Sequence, residues 1–317
     1  MGFTFDDSNT DATPLEEMHR LIAKDPRNAE LIFPYIGGEE VNTSPTHAYH
    51  RFVINFGDRS EKEARQYPDL MAIVEEKVKP ERKSLPPKNA WNKTVSNNWW
   101  KFGAFRKELQ SATKHLDRVL VNLFTSSYNN YTFLNSKQVF SNSINIYPFQ
   151  SYPPFALLQS RIHELWARFF GSSMKDDLRY TPSDCFETFP FPNDWERNVN
   201  LETAGKDYYA FRAELMVQNN QGLTATYNRF HSPEERDPDI LRLRDLHAAM
   251  DRAVLDAYGW DDIKTHYEFL LDYEDEEDEN SRRKKPWRLR FPNAVRDDLL
   301  ARLLNLNAKR AAEEAQK

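Results

Sequence analysis

The sequence predicts an α+β fold, with a mixed-sheet region in its N-terminal part and a helical region after it. Three observations predict this. Short β-type segments rich in Val, Ile, Tyr and Phe are concentrated before residue 150. Phe155, Leu158, Ile162, Leu165, Trp166 and Phe169 then recur at three- and four-residue spacings, the pattern of one apolar helix face. Beyond Pro192 the pattern turns to long helical windows bounded by Pro and Gly. The expected division is a mixed-sheet domain over 1–195, a helical domain over 196–271, a charged linker over 272–290 and a C-terminal helix over 291–317.

The elements follow in order. A polar start precedes a short helix near Leu15–Ala23. Residues 31–57 hold short strands, of which Arg51–Phe56 is the clearest. Ser60 and Glu63 form a capping-box pattern for a helix reaching about Val78, and Pro68 suits the first turn of a second helical piece. Residues 84–152 are aromatic and amide-rich, and Val119–Phe124, Tyr131–Leu134, Gln138–Phe140 and Ile144–Tyr147 read as strands. The helix Leu157–Phe170 follows, with Gly171 as its cap, then a turn and an apolar strand closed by Pro190 and Pro192. Helices are expected over Leu201–Asn220, ended by Gly222, and over Asp239–Tyr258, opened by Pro238 and stopped by Gly259. The acidic run Asp272–Glu279 abuts the basic run Arg282–Lys285, the mark of a solvated linker. Pro292 opens a final amphipathic helix carrying Val295, Leu299, Leu303 and Leu306.

A chain of 317 residues is long enough for about two domains, and 39% hydrophobic with 29% charged residues suits a soluble fold. The apolar runs are only a few residues long, too short to cross a bilayer. The N-terminus is acidic and polar, without a secretory apolar core. The single Cys185 has no internal disulfide partner. Together these favour the reducing cytoplasm.

Several phrases in order resemble one family. Phe33 to Asn42, FPYIGGEEVN, is similar to its entry segment into a recognition domain. Leu158 to Trp166, LQSRIHELW, is similar to its central helix, and the stretch from Arg179 to Pro192 to the close of that domain. Tyr227 to Phe230 and Leu246 to Asp251 resemble the helical region that follows. The family is that of large N6-adenine DNA methyltransferases: type IIG restriction-modification enzymes and the methyltransferases of BREX and related phage-defence systems. The resemblance implies a DNA target-recognition domain over 1–195 followed by a helical domain. It also implies double-stranded DNA as partner, together with a methyltransferase catalytic domain or subunit. S-adenosylmethionine is then expected on that catalytic part, with no cofactor in this chain.

The residues themselves offer little catalysis. A methyltransferase needs a Gly-rich loop for close approach of backbone to cofactor, and Gly37-Gly38 is the one adjacent pair among nine Gly. Tyr152-Pro153-Pro154-Phe155 imitates the adenine motif, but Tyr152 lacks the amide or carboxylate that must accept from the exocyclic amine. The segment reads as a helix start with Pro in the first turn. Asp69 with Glu75, Glu76 and Lys77 imitates a nuclease set, yet all lie within one short helical stretch. His47 and His50 lack further ligands, and His163 suits a structural hydrogen bond. Ser160 and Cys185 have no evident base.

The net charge of −6 conceals a basic block. From Lys88 to Arg161 there are nine Lys and Arg against Glu108 and Asp117, a local excess of +7. Lys88, Asn97, Asn98, Trp100, Lys101, Arg106, Lys107, Lys114 and Lys137 interleave charge, amide and aromatic groups suited to phosphates and base edges. Ser126, Ser127, Asn129 and Asn130 lie between two expected strands, and the resemblance places base choice there. The leading reading is a DNA sequence-recognition module without the catalytic half. The alternatives are a complete S-adenosylmethionine-dependent methyltransferase with unrecognised catalytic residues, or a protein-interaction module that does not bind DNA.

Overall fold

The structure, a computed structural model, describes residues 2–103, 106–174, 177–271 and 286–315. The chain divides into two compact units, each assembled from separated segments. The first comprises Met1–Gly37, Ala48–Asp117 and Asn135–Ser141; the second comprises Gly38–His47, Arg118–Leu134 and Asn142–Lys317.

In chain order the elements up to residue 113 are β1 (Thr4–Phe5), α1 (Leu15–Lys24), β2 (Ile32–Ile36), α2 (Gly38–Thr43), β3 (Arg51–Ile54), α3 (Glu61–Ala64), α4 (Pro68–Lys77), α5 (Lys79–Ser84), α6 (Ala90–Asn97) and α7 (Lys107–Thr113). Next come β4 (Arg118–Leu123), β5 (Thr125–Ser126), β6 (Tyr131–Asn135), β7 (Val139–Phe140), β8 (Ile144–Tyr147), α8 (Tyr152–Gln159), α9 (Arg161–Phe170), β9 (Ser172–Met174) and β10 (Asp177–Arg179). The remainder is α10 (Pro182–Cys185), α11 (Val199–Gln218), α12 (Leu223–Phe230), α13 (Pro238–Ala257), β11 (Glu268–Leu271), β12 (Trp287–Arg290) and α14 (Asn293–Glu314). The mixed strands and long helices are the α+β arrangement expected. The linker runs Asp272–Glu279 and Arg282–Lys285 lie outside the described residues.

The first unit is a four-stranded sheet in the order β1-β3-β2-β7 with helices around it. β2 is antiparallel to β3, pairing Phe33 with Val53, and parallel to β7, pairing Tyr35 with Val139. Its core joins Phe3, Phe5, Val53, Ile54 and Phe56 to Leu70, Met71 and Val74 of α4 and to Trp99 and Trp100. The capping box is present: the Ser60 hydroxyl accepts from the Glu63 amide, and the Glu63 carboxylate accepts from the Ser60 amide at 2.7 Å. Pro68 opens α4, as its missing N–H requires.

The second unit holds the sheet β6-β4-β8, the sheet β5-β10-β9 and the hairpin β11-β12. Its interior is built on α8 and α9. Leu158, Ile162 and Trp166 are fully buried, and α8 packs against both α11 and α13. The apolar period therefore did locate a core, but not one continuous helix. Ser160 adopts an extended conformation, ends α8 and caps α9 by accepting from the His163 amide at 3.2 Å. Phe169, expected on the buried face, is exposed at 52%.

Further differences have local causes. The apolar strand expected before Pro192 does not form: α10 is one helical turn, and the chain beyond it is irregular, with Phe189 and Pro190 inside. Pro has no amide for a ladder and removes that strand. Gly222 does not end the preceding helix, which stops at Gln218; it is the N-cap of α12. The helices α5, α6 and α7 were not anticipated, since their short polar sequences show no sustained apolar period.

Candidate nucleic-acid interface

The expected contact residues of the first unit lie in or beside α6 and α7, apart from Lys137. Lys88 is exposed in the connection from α5 to α6. Asn89 caps α6 by accepting from the Asn92 amide at 2.8 Å. Asn97 is exposed at the end of that helix; Asn98 is half-buried and its amide donates to the Thr94 carbonyl at 3.0 Å. Arg106, Lys107 and Lys114 are exposed along and beside α7, and Lys137 is exposed in the turn before β7. Lys101 is half-buried, with its ammonium donating to the Asp58 carbonyl at 3.0 Å.

Trp100 has a different role from the one expected. It is 8% exposed, sits in the core edge-on to Trp99, and its indole donates to the Arg59 carbonyl at 3.0 Å. Burial removes it from any ligand.

In the second unit the segment after β4 is not a plain hairpin tip. β5 leaves the β4 line and pairs antiparallel with β10, setting Thr125 opposite Arg179 and Ser126 opposite Leu178. Ser126 and Ser127 are half-buried, and the Ser127 hydroxyl donates to the Asp177 carboxylate at 2.6 Å. Arg179 is exposed, with its guanidinium 5.1 Å from the Phe124 ring. The sheet thus assembles hydroxyl, carboxylate and guanidinium groups, three of the side-chain chemistries that can pair with base edges. Asp177 and Arg179 were missed by sequence reasoning. Their signal, a charged pair bracketing Leu178, acquires meaning only through pairing with β5 and through the Ser127–Asp177 hydrogen bond, which spans 50 residues.

Asn129 and Asn130 lie in the interior, not on the surface expected of base-reading amides: they are 5% and 8% exposed. The Asn129 amide donates to the Leu158 carbonyl at 3.0 Å. They border a buried network around Arg212. The Arg212 guanidinium donates to the Tyr131 carbonyl at 2.6 Å, to the Gln159 side-chain oxygen at 3.1 Å and to the Tyr227 hydroxyl at 3.0 Å. That hydrogen-bond shell satisfies a cation buried to 1% exposure.

The basic block is smaller as an anionic footprint than its count implied. Arg161 is 4% exposed and bound to Asp251 at 2.7 Å, while its backbone amide donates to the same carboxylate. Arg118 donates to the Gln150 carbonyl and lies 3.9 Å from the Phe133 ring. Another basic concentration, a small pocket lined by Arg161, Glu164, Arg168, Arg288, Arg290 and Arg296, is likewise built from engaged groups. Arg168 pairs with Glu164, Arg288 donates to the Ser127 carbonyl and Arg296 pairs with Asp297.

Among the described residues, no cluster of three or more His, Cys, Asp or Glu could hold a metal ion. His163 is a structural group, as expected: its Nε2 meets the Tyr180 hydroxyl at 2.9 Å, and burial pushes its imidazole down to about 3. Burial pushes the Cys185 thiol up to about 11, which keeps it a thiol. Tyr152-Pro153-Pro154-Phe155 opens α8 with both prolines and Phe155 buried. No described helix is long and apolar enough to cross a membrane.

Residues 5–193 match the family model described as MmeI, target recognition domain, over the greater part of the chain. The chain belongs to this family. The target-recognition resemblance read from the sequence is thereby shown. No curated protein matches the chain. A solved structure of the type IIL restriction-modification enzyme MmeI in complex with DNA shares the fold at 19% identity, with a TM-score of 0.66. The match covers 98% of this chain and 34% of that one, so the chain spans about a third of the MmeI polypeptide. The match extends past residue 193, so α11 to α14 belong to the shared fold as well.

Proposed function

We propose that the chain reads DNA sequence for a restriction-modification enzyme. The observation that carries this reading is the target-recognition family match over residues 5–193. The sheet β5-β10-β9, which gathers Ser126, Ser127, Asp177 and Arg179, supplies the base-edge chemistry. Lys88, Asn97, Asn98, Lys101, Arg106, Lys107, Lys114 and Lys137 contact the phosphate backbone and fix register. Residues 1–195 do the reading, and the helices of 196–271 support it. Double-stranded DNA is the ligand. Methyl transfer, with S-adenosylmethionine, belongs to a methyltransferase part outside these residues.

The test is site selection from a randomised duplex pool. The wild-type chain, combined with its catalytic partner if binding requires it, should enrich one motif. Arg179→Ala should relax one position of that motif by roughly 1–3 kcal/mol and leave the others intact. Unselective recovery of the pool by the wild type, or an unchanged motif for Arg179→Ala, would contradict the assignment.

A further inference from the structure

We infer that Trp91 is a DNA-backbone contact, its indole lying against the sugar–phosphate chain. The inference rests on the sequence-reading function proposed above and adds to it a non-ionic contact.

Three of the chain's Trp side chains, Trp99, Trp100 and Trp166, are buried, whereas Trp91 is 55% exposed. Single exposed apolar residues are common. The surroundings of this one are specific. α6 turns Val95 inward; Ala90, Lys93, Thr94 and Asn97 are exposed, and Trp91 is among them. α5 packs against α6 and brings Lys83 to the same helical pair, while Lys88 occupies the connection between them. Lys83, Lys88 and Lys93 are exposed, and none has a carboxylate partner among the described residues. From Lys79 to Lys101 there are six Lys and Arg and one acidic residue, Glu81. Trp91 itself has no ring contact and no hydrogen bond among the described residues. Its indole N–H is a donor awaiting an acceptor.

An exposed aromatic flanked by unpaired ammonium groups fits a polymer that alternates apolar sugar with anionic phosphate. The ring face covers the deoxyribose, and the N–H donates to a phosphate oxygen. A purely acidic protein partner would match the lysines but leave the ring exposed.

The test uses a mixed-sequence 20-base-pair duplex at low salt. Tryptophan emission and binding are followed for wild type, Trp91→Phe and Trp91→Ala, with circular dichroism to confirm folding. DNA should change the wild-type emission, and that change should be largely lost in Trp91→Phe. Trp91→Ala should weaken binding by about tenfold with an unchanged salt slope, because no charge is removed. Lys93→Ala should instead lower the slope by about one. If the wild type binds but Trp91→Phe keeps the full emission change, or Trp91→Ala binds as tightly as wild type, this inference is overturned, and Trp91 faces a protein partner or solvent. If the wild type does not bind even with its catalytic partner present, the sequence-reading function falls with it.

Discussion

His163 illustrates how buried groups tie stability to pH. Burial holds its imidazole neutral down to about 3, and that of His47 down to about 4. Burial also lowers His231 and His247. An unfolded chain protonates each at about 6.5. The folded values are depressed, so below that point the unfolded state binds the extra protons. Stability is therefore full above about pH 6.5 and falls as pH drops toward 3, by about 1.4 kcal/mol per pH unit for each fully buried histidine. Asp251 adds to the loss lower down: burial alone would raise its carboxyl, but His247 and Arg161 hold it at about 2. Urea melts between pH 7 and pH 4 should show a steep decline, and a shallower one in His163→Gln. Parallel profiles would show that His163 is not buried as described. At this scale the sequence was a partial guide. A structural His163 was legible from its place beside an apolar face. The burial of Asn129, Asn130 and Trp100 was not, because amide and aromatic groups suit a base edge and an interior carbonyl equally well.

Elements were legible where periodicity or punctuation was strong. The Ser60–Glu63 box and the Pro68 and Pro238 helix starts appear, and the strand expected over Arg51–Phe56 appears as Arg51–Ile54. Ser160 broke the helix expected over 157–170 because its side chain caps α9, and a hydroxyl within an apolar period gives no warning of that. Gly222 was noticed for the wrong reason. A Cβ there would lie 2.3 Å from the Asn42 carbonyl oxygen and 2.4 Å from the Thr43 carbonyl carbon, so glycine permits α12 to approach α2. Gly222→Ala should destabilise the protein by about 1–3 kcal/mol in denaturant melts, since backbone must move. A change below about 0.5 kcal/mol would mean that α2 yields freely.

At the scale of the molecule, sequence order and spatial order diverge. Residues 38–47 leave the first unit for the second, and residues 135–141 return so that β7 can pair with β2. No local pattern encodes such exchanges, so a linear division at residue 195 could not describe the compact units. The family phrases survived this because they mark segments rather than contacts. The proposed function has the surface basic residues, half-buried Lys101 among them, bind the phosphates of duplex DNA. The most direct measurement is the salt dependence of binding to a duplex by wild type and by the combined Lys101→Ala, Arg106→Ala, Lys107→Ala variant, with the catalytic partner present if affinity requires it. A linear fall of log K with log salt is expected, with a slope lower by about three in the variant, at about one per phosphate contact removed. Binding by the variant with the wild-type affinity and slope would contradict it.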